Sequence, residues 1–182
     1  MSRSLPRRML RAALLESALY EEVEAERRSI GQAAIVVLLA SAAGALGAWL
    51  RGHPPLRLAL EALEPIVFWL GASLFAYMAG ATLFRGTHTQ TDYAEVLRTT
   101  GFAFTPGLLR VLGGLPVIDA AGLHVPLAML IHMLGDLWAA VASIVAVRQA
   151  LDFSTLRAIG TFGVAYLLLW LLLAGALISL PV

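Results

Sequence analysis

The sequence of 182 residues contains no cysteine, no lysine and no asparagine. Without cysteine the chain has no disulfide, no thiolate metal site and no cysteine nucleophile. Without lysine it has no P-loop lysine, no Schiff-base lysine and no Ser-x-x-Lys dyad. All 13 basic residues are therefore arginines. These absences exclude several large classes of enzyme before any motif is considered.

Charged residues are also scarce. They make up 14% of the chain, whereas 59% of the residues are hydrophobic and the mean hydropathy is +0.81. A soluble domain has about 25% charged and about 45–50% apolar residues, so this chain cannot cover a globular surface with polar side chains. The composition predicts an integral membrane protein. The net charge of +1 and the absence of a basic patch with interleaved aromatics argue against a nucleic-acid partner.

Five apolar stretches are long enough to cross a bilayer, which takes about 20 residues of helix. The predicted transmembrane helices cover about residues 30–50, 65–84, 99–118, 124–147 and 158–180. We therefore predict an all-α, polytopic membrane protein with five transmembrane helices. An odd number of spans places the two termini on opposite sides of the membrane.

The arginines indicate which side faces the cytoplasm. Only Arg51 and Arg57 fall in the loop between the first and second predicted spans. Ten arginines fall on the other side: Arg3, Arg7, Arg8, Arg11, Arg27, Arg28, Arg85, Arg98, Arg148 and Arg157. Because cytoplasmic loops are enriched in arginine, this asymmetry predicts an inner (plasma) membrane protein with a cytoplasmic N-terminus and an external C-terminus.

The N-terminal segment differs in composition from the remainder of the chain. We divide the sequence into a cytoplasmic segment, residues 1–28, and a transmembrane domain, residues 29–182. Leu10, Leu14 and Ala18 recur at four-residue steps after Pro6, which predicts an amphipathic helix. That helix either lies against the cytoplasmic leaflet or packs on the cytoplasmic loops.

Three stretches of the chain resemble a known family. They read ALYEEVEAERRSIGQAAIVVLLA (18–40), VLRTTGFAFTPGLL (96–109) and AVRQALDFSTLRAI (146–159). They are similar to the bacterial branch of the Yip family, the five-span Ypt/Rab-interacting proteins. The resemblance implies a cytoplasmic N-terminus. Eukaryotic members are associated with vesicle traffic and prenylated GTPases, but their Asp-Leu-Tyr-Gly-Pro-type motif is missing here, so GTPase binding is not carried over.

Two ionisable residues, Arg110 and Asp136, fall deep within predicted spans. Arg110 follows Arg98 by twelve residues, and Asp136 precedes Arg148 by twelve. At about 1.5 Å per residue both side chains would lie about 18 Å from the cytoplasmic face. Since a charge inside a membrane needs a partner, we predict an Arg110–Asp136 ion pair between the third and fourth spans. The pair either fastens two helices or forms a site that touches substrate or lipid headgroup. In the remaining case Pro106 and Gly107 shift the register, and the two side chains do not meet.

Three further residues complete the candidate intramembrane site and its surroundings. His132 lies four residues before Asp136, on the same helical face, so the two could relay protons or share a metal, or simply form local hydrogen bonds. Pro106 and Gly107 interrupt the third span and are the candidate helix break. Such a break lines a transport site in some proteins and serves only packing in others.

Catalytic motifs are missing from the sequence: it has no nucleophile elbow, metalloprotease helix, P-loop or dinucleotide-binding glycine run. We therefore expect a protein that is not an enzyme and needs no cofactor or metal. The leading hypothesis is a membrane protein that organises lipids or recruits partners, which are the lipid bilayer, a second copy of the chain or other membrane proteins. The alternative is a small transporter or lipid-translocating protein that uses the polar site between the third and fourth spans.

Overall fold

The computed structural model describes residues 4–83, 92–115 and 127–178. In these ranges the chain forms helices and no strand, which confirms the all-α prediction. The described elements are α1 (Leu5–Ala13), α2 (Ser17–Ala25), α3 (Ser29–Leu50), α4 (Pro55–Thr82), α5 (Tyr93–Phe102), the 3-10 helix η1 (Thr105–Gly114), α6 (Leu127–Ala150) and α7 (Thr155–Ile178).

Four helices in the described part of the chain are long and apolar enough to cross a membrane. They are Ser29–Leu50, Pro55–Gly80, Leu127–Ala150 and Thr155–Ala174, and they correspond to the first, second, fourth and fifth predicted spans. Some predicted residues lie outside the described ones: 84, 116–118, 124–126 and 179–180. The protein is therefore a polytopic helical membrane protein, with four such helices rather than five.

The third predicted span, 99–118, is not one continuous α-helix, and the structure interrupts it just before the candidate break at Pro106 and Gly107. Helix α5 ends at Phe102, and η1 begins three residues later at Thr105. An α-helix that continued would bring the ring of Pro106 against the carbonyl of Phe102, and proline has no N–H to donate. A 3-10 turn avoids this conflict, and the Gly107 N–H donates to the Phe104 carbonyl oxygen at 2.9 Å.

The broken segment nevertheless runs the length of the bundle beside α3. Gly101 approaches Ala33, Gly107 approaches Ala40, and Gly114 approaches Gly47, so the two segments run parallel. This path is required because α4 ends near the C-terminal end of α6, whereas α6 begins at the opposite end of the bundle. Residues 93–114 make the connection between these two ends.

The segment formed by α5 and η1 lies at the centre of the bundle, in contact with α3, α4 and α6. Irregular backbone is tolerated at membrane depth only where protein buries it. Three threonine hydroxyls supply extra hydrogen bonds here: Thr99 and Thr100 donate to carbonyl oxygens of α5, and Thr105 donates to Phe102. Burial and these local bonds make the irregular crossing possible.

Helix α4 begins at Pro55, one loop after α3, rather than at the predicted residue 65. The predicted span began at Pro65 because the stretch from there is free of charge, whereas Arg57, Glu61 and Glu64 precede it. In the structure Pro65 lies inside the helix, where its missing N–H leaves the Glu61 carbonyl without its helical donor. The consequence is that Glu61 and Glu64 sit on a long helix that packs against α3.

The N-terminal segment forms two helices rather than the single predicted one. Helix α1 ends in a Schellman motif: Leu15 adopts φ +59°, and the Glu16 N–H donates to the Arg11 carbonyl at 3.1 Å. Helix α2 then packs on α5 and α6, with its Leu19 and Tyr20 side chains fully buried. We call the α1–α2 pair (Leu5–Ala25) the N-terminal hairpin.

One face of α1 packs on protein and the other is open. Ala12 is fully buried, whereas Leu10 and Leu14 are 61% and 62% exposed. The indole Nε1 of Trp138, on α6, donates to the Ala13 carbonyl at 2.8 Å. Helix α1 therefore packs on the bundle and leaves Leu10 and Leu14 facing outward, while its placement against the cytoplasmic leaflet stays a prediction.

Arg8 fastens the N-terminal hairpin to the start of α3. Its guanidinium donates to Glu22 at 2.8 Å, to Glu26 at 2.5 Å and to Gln32 at 2.7 Å, and its side chain is only 6% exposed. Burial opposes the charged form, but the bonds to Glu26 and Glu22 outweigh it and raise the pKa of Arg8. The hairpin is thus held by a buried, fully charged arginine.

Candidate functional site

Arg110 joins three helices at the candidate site. From η1 its Nη2 donates to Oδ1 of Asp136 on α6 at 2.8 Å, and its Nη1 donates to Oε2 of Glu64 on α4 at 2.8 Å. The Nε group adds a bond of 3.2 Å to the same Asp136 oxygen. The predicted Arg110–Asp136 ion pair is present, and Glu64 makes it a triad. We call these three side chains the arginine triad.

A close approach of two backbones places Arg110 in the bundle. A Cβ atom added to Gly47 of α3 would lie 2.7 Å from the Arg110 carbonyl oxygen, which is closer than real contacts allow. Because Gly47 has no side chain, η1 packs directly on α3. From there the Arg110 side chain passes Gly44 and reaches the carboxylates on α4 and α6.

The arginine triad carries one positive and two negative formal charges. Arg110 is mostly enclosed, with 13% of its side chain exposed, whereas Glu64 and Asp136 are 43% and 54% exposed. Each carboxylate uses one oxygen for Arg110, so among the described residues Oε1 of Glu64 and Oδ2 of Asp136 have no hydrogen-bond donor. The triad is therefore open on its carboxylate side and has unused acceptors.

An interhelical cavity of about 100 Å³ extends from the triad between α4, α6 and α7. Small and aromatic side chains dominate its walls, among them Ala72, Ala76, Ala139, Ala140, Phe162 and Tyr166. Gly107 lines it as well, and buried Pro106 lies next to Gly135 of α6. The candidate helix break thus lies about one turn before Arg110, at the wall of this cavity.

A second depression, which we call the surface groove, has a volume of about 410 Å³ between α4 and α7. Its lining begins with Arg57, Glu61 and Glu64, and continues with Val67, Phe68 and Trp170. Glu64 and Phe68 line both the groove and the interhelical cavity. Toward the start of α4 the three charged side chains alternate with Leu60 and Leu63, and beyond Glu64 the lining is apolar.

Aromatic rings form the apolar part of this region. The Phe68 ring lies 5.2 Å from that of Tyr166 and 5.8 Å from that of Trp170, and Phe162 lies 5.4 Å from Tyr166. Phe162, Tyr166 and Trp170 recur every four residues, so α7 presents one aromatic face. These ring distances are within the range of favourable aromatic contacts.

The structure does not bring His132 and Asp136 together. Instead, Arg51 at the end of α3 lies 3.0 Å from Nε2 of His132 through its Nη1 group. Because arginine only donates, Nε2 of His132 must accept and the ring proton is on Nδ1. In the described ranges no group of three or more His, Cys, Asp or Glu side chains could hold a metal ion.

Sequence reasoning missed Glu64, the third member of the triad. It falls just before Pro65 and therefore outside the predicted second span. A signal was present: Arg57, Glu61 and Glu64 recur at i, i+4 and i+7, which places them on one face of a helix. The structure uses that face, since Arg57 and Glu61 form an ion pair of 2.8 Å beside the triad.

Four long apolar helices, packed around a buried irregular crossing with a charged triad inside, define a polytopic helical membrane protein. Residues 14–178 match the family model of the Yip1 domain. The chain therefore belongs to the Yip1-domain family, which confirms the resemblance, while its place in the bacterial branch stays a prediction. No curated protein and no solved structure matches the chain.

Proposed function

We propose that this Yip1-domain protein organises membrane lipids without catalysing a reaction. Its immediate partner is then the bilayer, and the surface groove between α4 and α7 is where a phospholipid lies. Recruitment of a second copy or of another membrane protein would follow from the lipid it holds. The proposal extends the family membership, which by itself gives membrane location only.

The polarity of the surface groove carries this proposal. Its charged end contains Arg57, Glu61 and Glu64, and its apolar end contains Val67 and Trp170. A phospholipid has the same order, with a charged headgroup followed by acyl chains. Binding sites for amphipathic ligands combine a few placed polar groups with an apolar wall, which is the composition seen here.

The interhelical cavity supports lipid binding over the alternative of a transporter. Its volume is about 100 Å³, and its walls are mostly apolar. Arg110, the charge that a transported anion would need, already donates three hydrogen bonds to carboxylates. Because the cavity is small and largely apolar and its arginine is already paired with carboxylates, we favour lipid binding over transport.

We further propose five crossings of the inner membrane, with the N-terminus in the cytoplasm. The path of α5 and η1 beside α3 and the arginine asymmetry both support this topology. The cysteine-free sequence allows a direct test with single cysteines at His53, after α3, and at Ser154, before α7. An impermeant maleimide should label His53→Cys in intact cells and label Ser154→Cys only after lysis; the reverse pattern would contradict the orientation.

Lipid retention tests the proposed function. The protein is purified in mild detergent, and its bound phospholipids are counted by native mass spectrometry. Val67→Trp fills the groove and should lower the retained phospholipid several-fold. Leu74→Trp, about two turns further along α4 and similarly exposed at 43%, is the matched control and should retain lipid normally.

Two results would overturn the proposal. One is a native protein that retains no phospholipid, and the other is equal retention by the Val67→Trp and Leu74→Trp variants. Reconstitution into liposomes adds a third arm, because rapid lipid scrambling or proton flux by the native protein would favour the translocation alternative.

A further inference from the structure

We infer that the surface groove prefers phospholipids with a single acyl chain and a free hydroxyl on the glycerol backbone, the class called lysophospholipids. This inference rests on the proposed lipid binding and adds the chemistry of the lipid. It places the phosphate on Arg57, the glycerol hydroxyl on Glu64, and the acyl chain along Val67, Trp170 and Leu173, all of which line the groove.

The charges near the groove limit what the ligand must supply. Three arginines lie among the described residues at this end of the bundle: Arg51 beside His132, Arg57 and Arg110. Three carboxylates accompany them: Glu61 on Arg57, and Glu64 and Asp136 on Arg110. These charges balance, so the ligand needs no cationic group here. A neutral hydrogen-bond donor is sufficient for the acceptor that the groove presents.

Glu64 presents that acceptor. It lines the groove, its side chain is 43% exposed, and its Oε2 atom accepts from Arg110 at 2.8 Å. No group among the described residues donates to its Oε1 atom. A lipid that covers Oε1 without donating to it leaves a carboxylate oxygen unsatisfied, which is unfavourable. The groove therefore favours a lipid with a donor at the level of Glu64.

The covalent order of a phospholipid decides which lipids have a donor at that level. The glycerol backbone lies between the phosphate and the acyl chains. In a diacyl phospholipid the two backbone oxygens on the chain side are esters, which only accept hydrogen bonds. In a lysophospholipid one of them is a hydroxyl, which can donate to Oε1 of Glu64. That hydroxyl lies between the phosphate and the acyl chain, as Glu64 lies between Arg57 and Val67.

Arg57 is placed to hold the phosphate. Its side chain is 56% exposed, and among the described residues its bond of 2.8 Å to Glu61 uses only Nη2. Arginine binds phosphate through paired hydrogen bonds, which the other N–H groups can supply. Because the guanidinium reaches Glu61, it lies about one helical turn, or about 4.5 Å, before Glu64. The link between phosphate and hydroxyl is similarly short, since one oxygen and two carbon atoms separate them.

The apolar part of the groove continues in the same direction. On α7, which runs antiparallel to α4, Trp170 contacts Phe68 and Leu173 lies one turn closer to Glu64. Val67 completes this wall on α4, one turn beyond Glu64. A single acyl chain that starts beside Glu64 therefore meets Leu173 first and Trp170 next, and it follows the seam between the two helices without reversing direction.

The experiment compares two single-chain lipids that differ in one donor. The purified full chain is equilibrated with an equimolar mixture of lysophosphatidylcholine and its glycerol O-methyl ether, and the retained lipids are quantified by native mass spectrometry. We expect at least fivefold enrichment of the hydroxyl lipid, because methylation removes the donor and leaves the phosphate and the chain unchanged. This comparison uses the native protein and needs no variant. Diacyl phosphatidylcholine, added in equal amount, should be retained less than lysophosphatidylcholine.

Variants locate the selectivity. Glu64→Gln should reduce the enrichment to below twofold, because the amide oxygen stays with Arg110 and the amide N–H groups face the groove. Asp136→Asn is the matched control, since it alters the same triad from outside the groove lining and should keep the enrichment. Arg57→Gln should lower the retention of both lipids several-fold, whereas Arg148→Gln, at the other end of the bundle, should lower neither.

The outcomes separate this inference from the proposed function. Equal retention of the hydroxyl lipid and its methyl ether, stronger retention of the diacyl lipid, or unchanged enrichment in Glu64→Gln would overturn the inference. If Val67→Trp still lowers the retention of all these lipids, the groove binds lipid and only the hydroxyl assignment fails. If the native protein retains no phospholipid of either kind, the proposed function itself fails.

Discussion

Two arginines in this molecule, Arg8 and Arg110, bind two carboxylates each, but they do so in different surroundings. Arg8 bonds to Glu22 and Glu26, which lie within 18 residues of it in the N-terminal hairpin and its link to α3. Its neighbour Arg11 shares Glu22 through a bond of 2.8 Å. The cluster lies between the N-terminal hairpin and the first turn of α3, where Arg8 is only 6% exposed while Glu22 and Glu26 are partly open to solvent.

Arg110, by contrast, draws its carboxylates from two other helices, 46 and 26 residues away in sequence. No second arginine shares those carboxylates among the described residues. The comparison teaches that the same pairing can fasten a local hairpin to the start of one helix or join three separate elements of the bundle.

The largest effect is expected from removing the cation of the triad. Arg110→Met leaves Glu64 and Asp136 without a partner, and breaking such a pair costs about 3–5 kcal/mol, with the lower value favoured here by the exposed carboxylates. Unfolding of the purified protein in detergent measures the loss. The triple variant Arg110→Met, Glu64→Gln, Asp136→Asn removes all three charges and should recover most of the stability; a triple variant as unstable as the single one would contradict the ion-pair account.

A smaller and local effect is expected from Arg8→Met. The substitution removes the buried guanidinium that donates to Glu22, Glu26 and Gln32, although Glu22 keeps its bond to Arg11, and we expect a cost of about 2–3 kcal/mol. Because the long helices do not depend on Arg8, we expect the hairpin alone to open, with faster tryptic cleavage at Arg11 and an intact transmembrane core. Arg7→Met, at an exposed position of the same helix, should leave the cleavage rate unchanged.

Glu24, in helix α2 of the N-terminal hairpin, provides a test of this end of the molecule through pH. Burial, followed by the nearby Asp152 and Glu95, raises the pKa of Glu24 to about 7, although Arg98 opposes this shift. A raised carboxyl pKa means that the folded state binds the proton more tightly, so stability falls as pH rises from about 4.5 through about 7. Glu24→Gln should therefore raise the melting temperature at pH 8 and have little effect near pH 4.5.

Glu26 is the control for this pH dependence, because its shift has the opposite sign. Its hydrogen bond to Arg8 lowers the pKa of Glu26 below the ordinary value of 4.5. Its contribution is present above that value and is lost at lower pH, so Glu26→Gln should destabilise the protein at pH 8. If both variants shifted stability in the same direction at pH 8, the assignment of Glu24 would be wrong.

The smallest effect is expected for the pair between Arg11 and Glu16. These side chains bond at 2.7 Å, but Glu16 is largely open to solvent. Such pairs contribute about 0.5 kcal/mol, so Glu16→Gln should lower the melting temperature only slightly at low salt. In about 1 M salt, where the Debye length is about 3 Å, the difference should disappear. A large effect that persists in salt would place Glu16 in the hairpin core.

The sequence predicted much of this architecture because long apolar runs have few alternative structures. Helices α3, α6 and α7 were found with ends within a few residues. The Arg110–Asp136 pair was predicted because both residues are offset by twelve from Arg98 and Arg148; that argument assumed continuous helices, and the pair forms despite the break. The 3-10 conformation of η1 could not be predicted, because hydropathy does not distinguish an α-helix from a 3-10 helix.

Other features depend on information that a single sequence does not carry. Glu64 joins the triad only because α4 continues through Pro65, and a proline pattern favours a helix start there. The two-helix form of the N-terminal segment depends on a leucine, Leu15, in a left-handed conformation that usually requires glycine or asparagine. In both cases tertiary packing overrides the conformational preference of the local sequence.

The irregular central crossing has a consequence for how the chain enters the membrane. Insertion machinery reads hydropathy along a continuous helix, and residues 93–114 give it a weak signal. If that segment stayed in the cytoplasm, α6 and α7 would insert with inverted transmembrane orientation. Arg148 and Arg157, which flank the turn between these helices, oppose that inversion because they resist translocation. In the proposed orientation, Arg148 and Arg157 therefore help to determine that the earlier segment, residues 93–114, crosses the membrane.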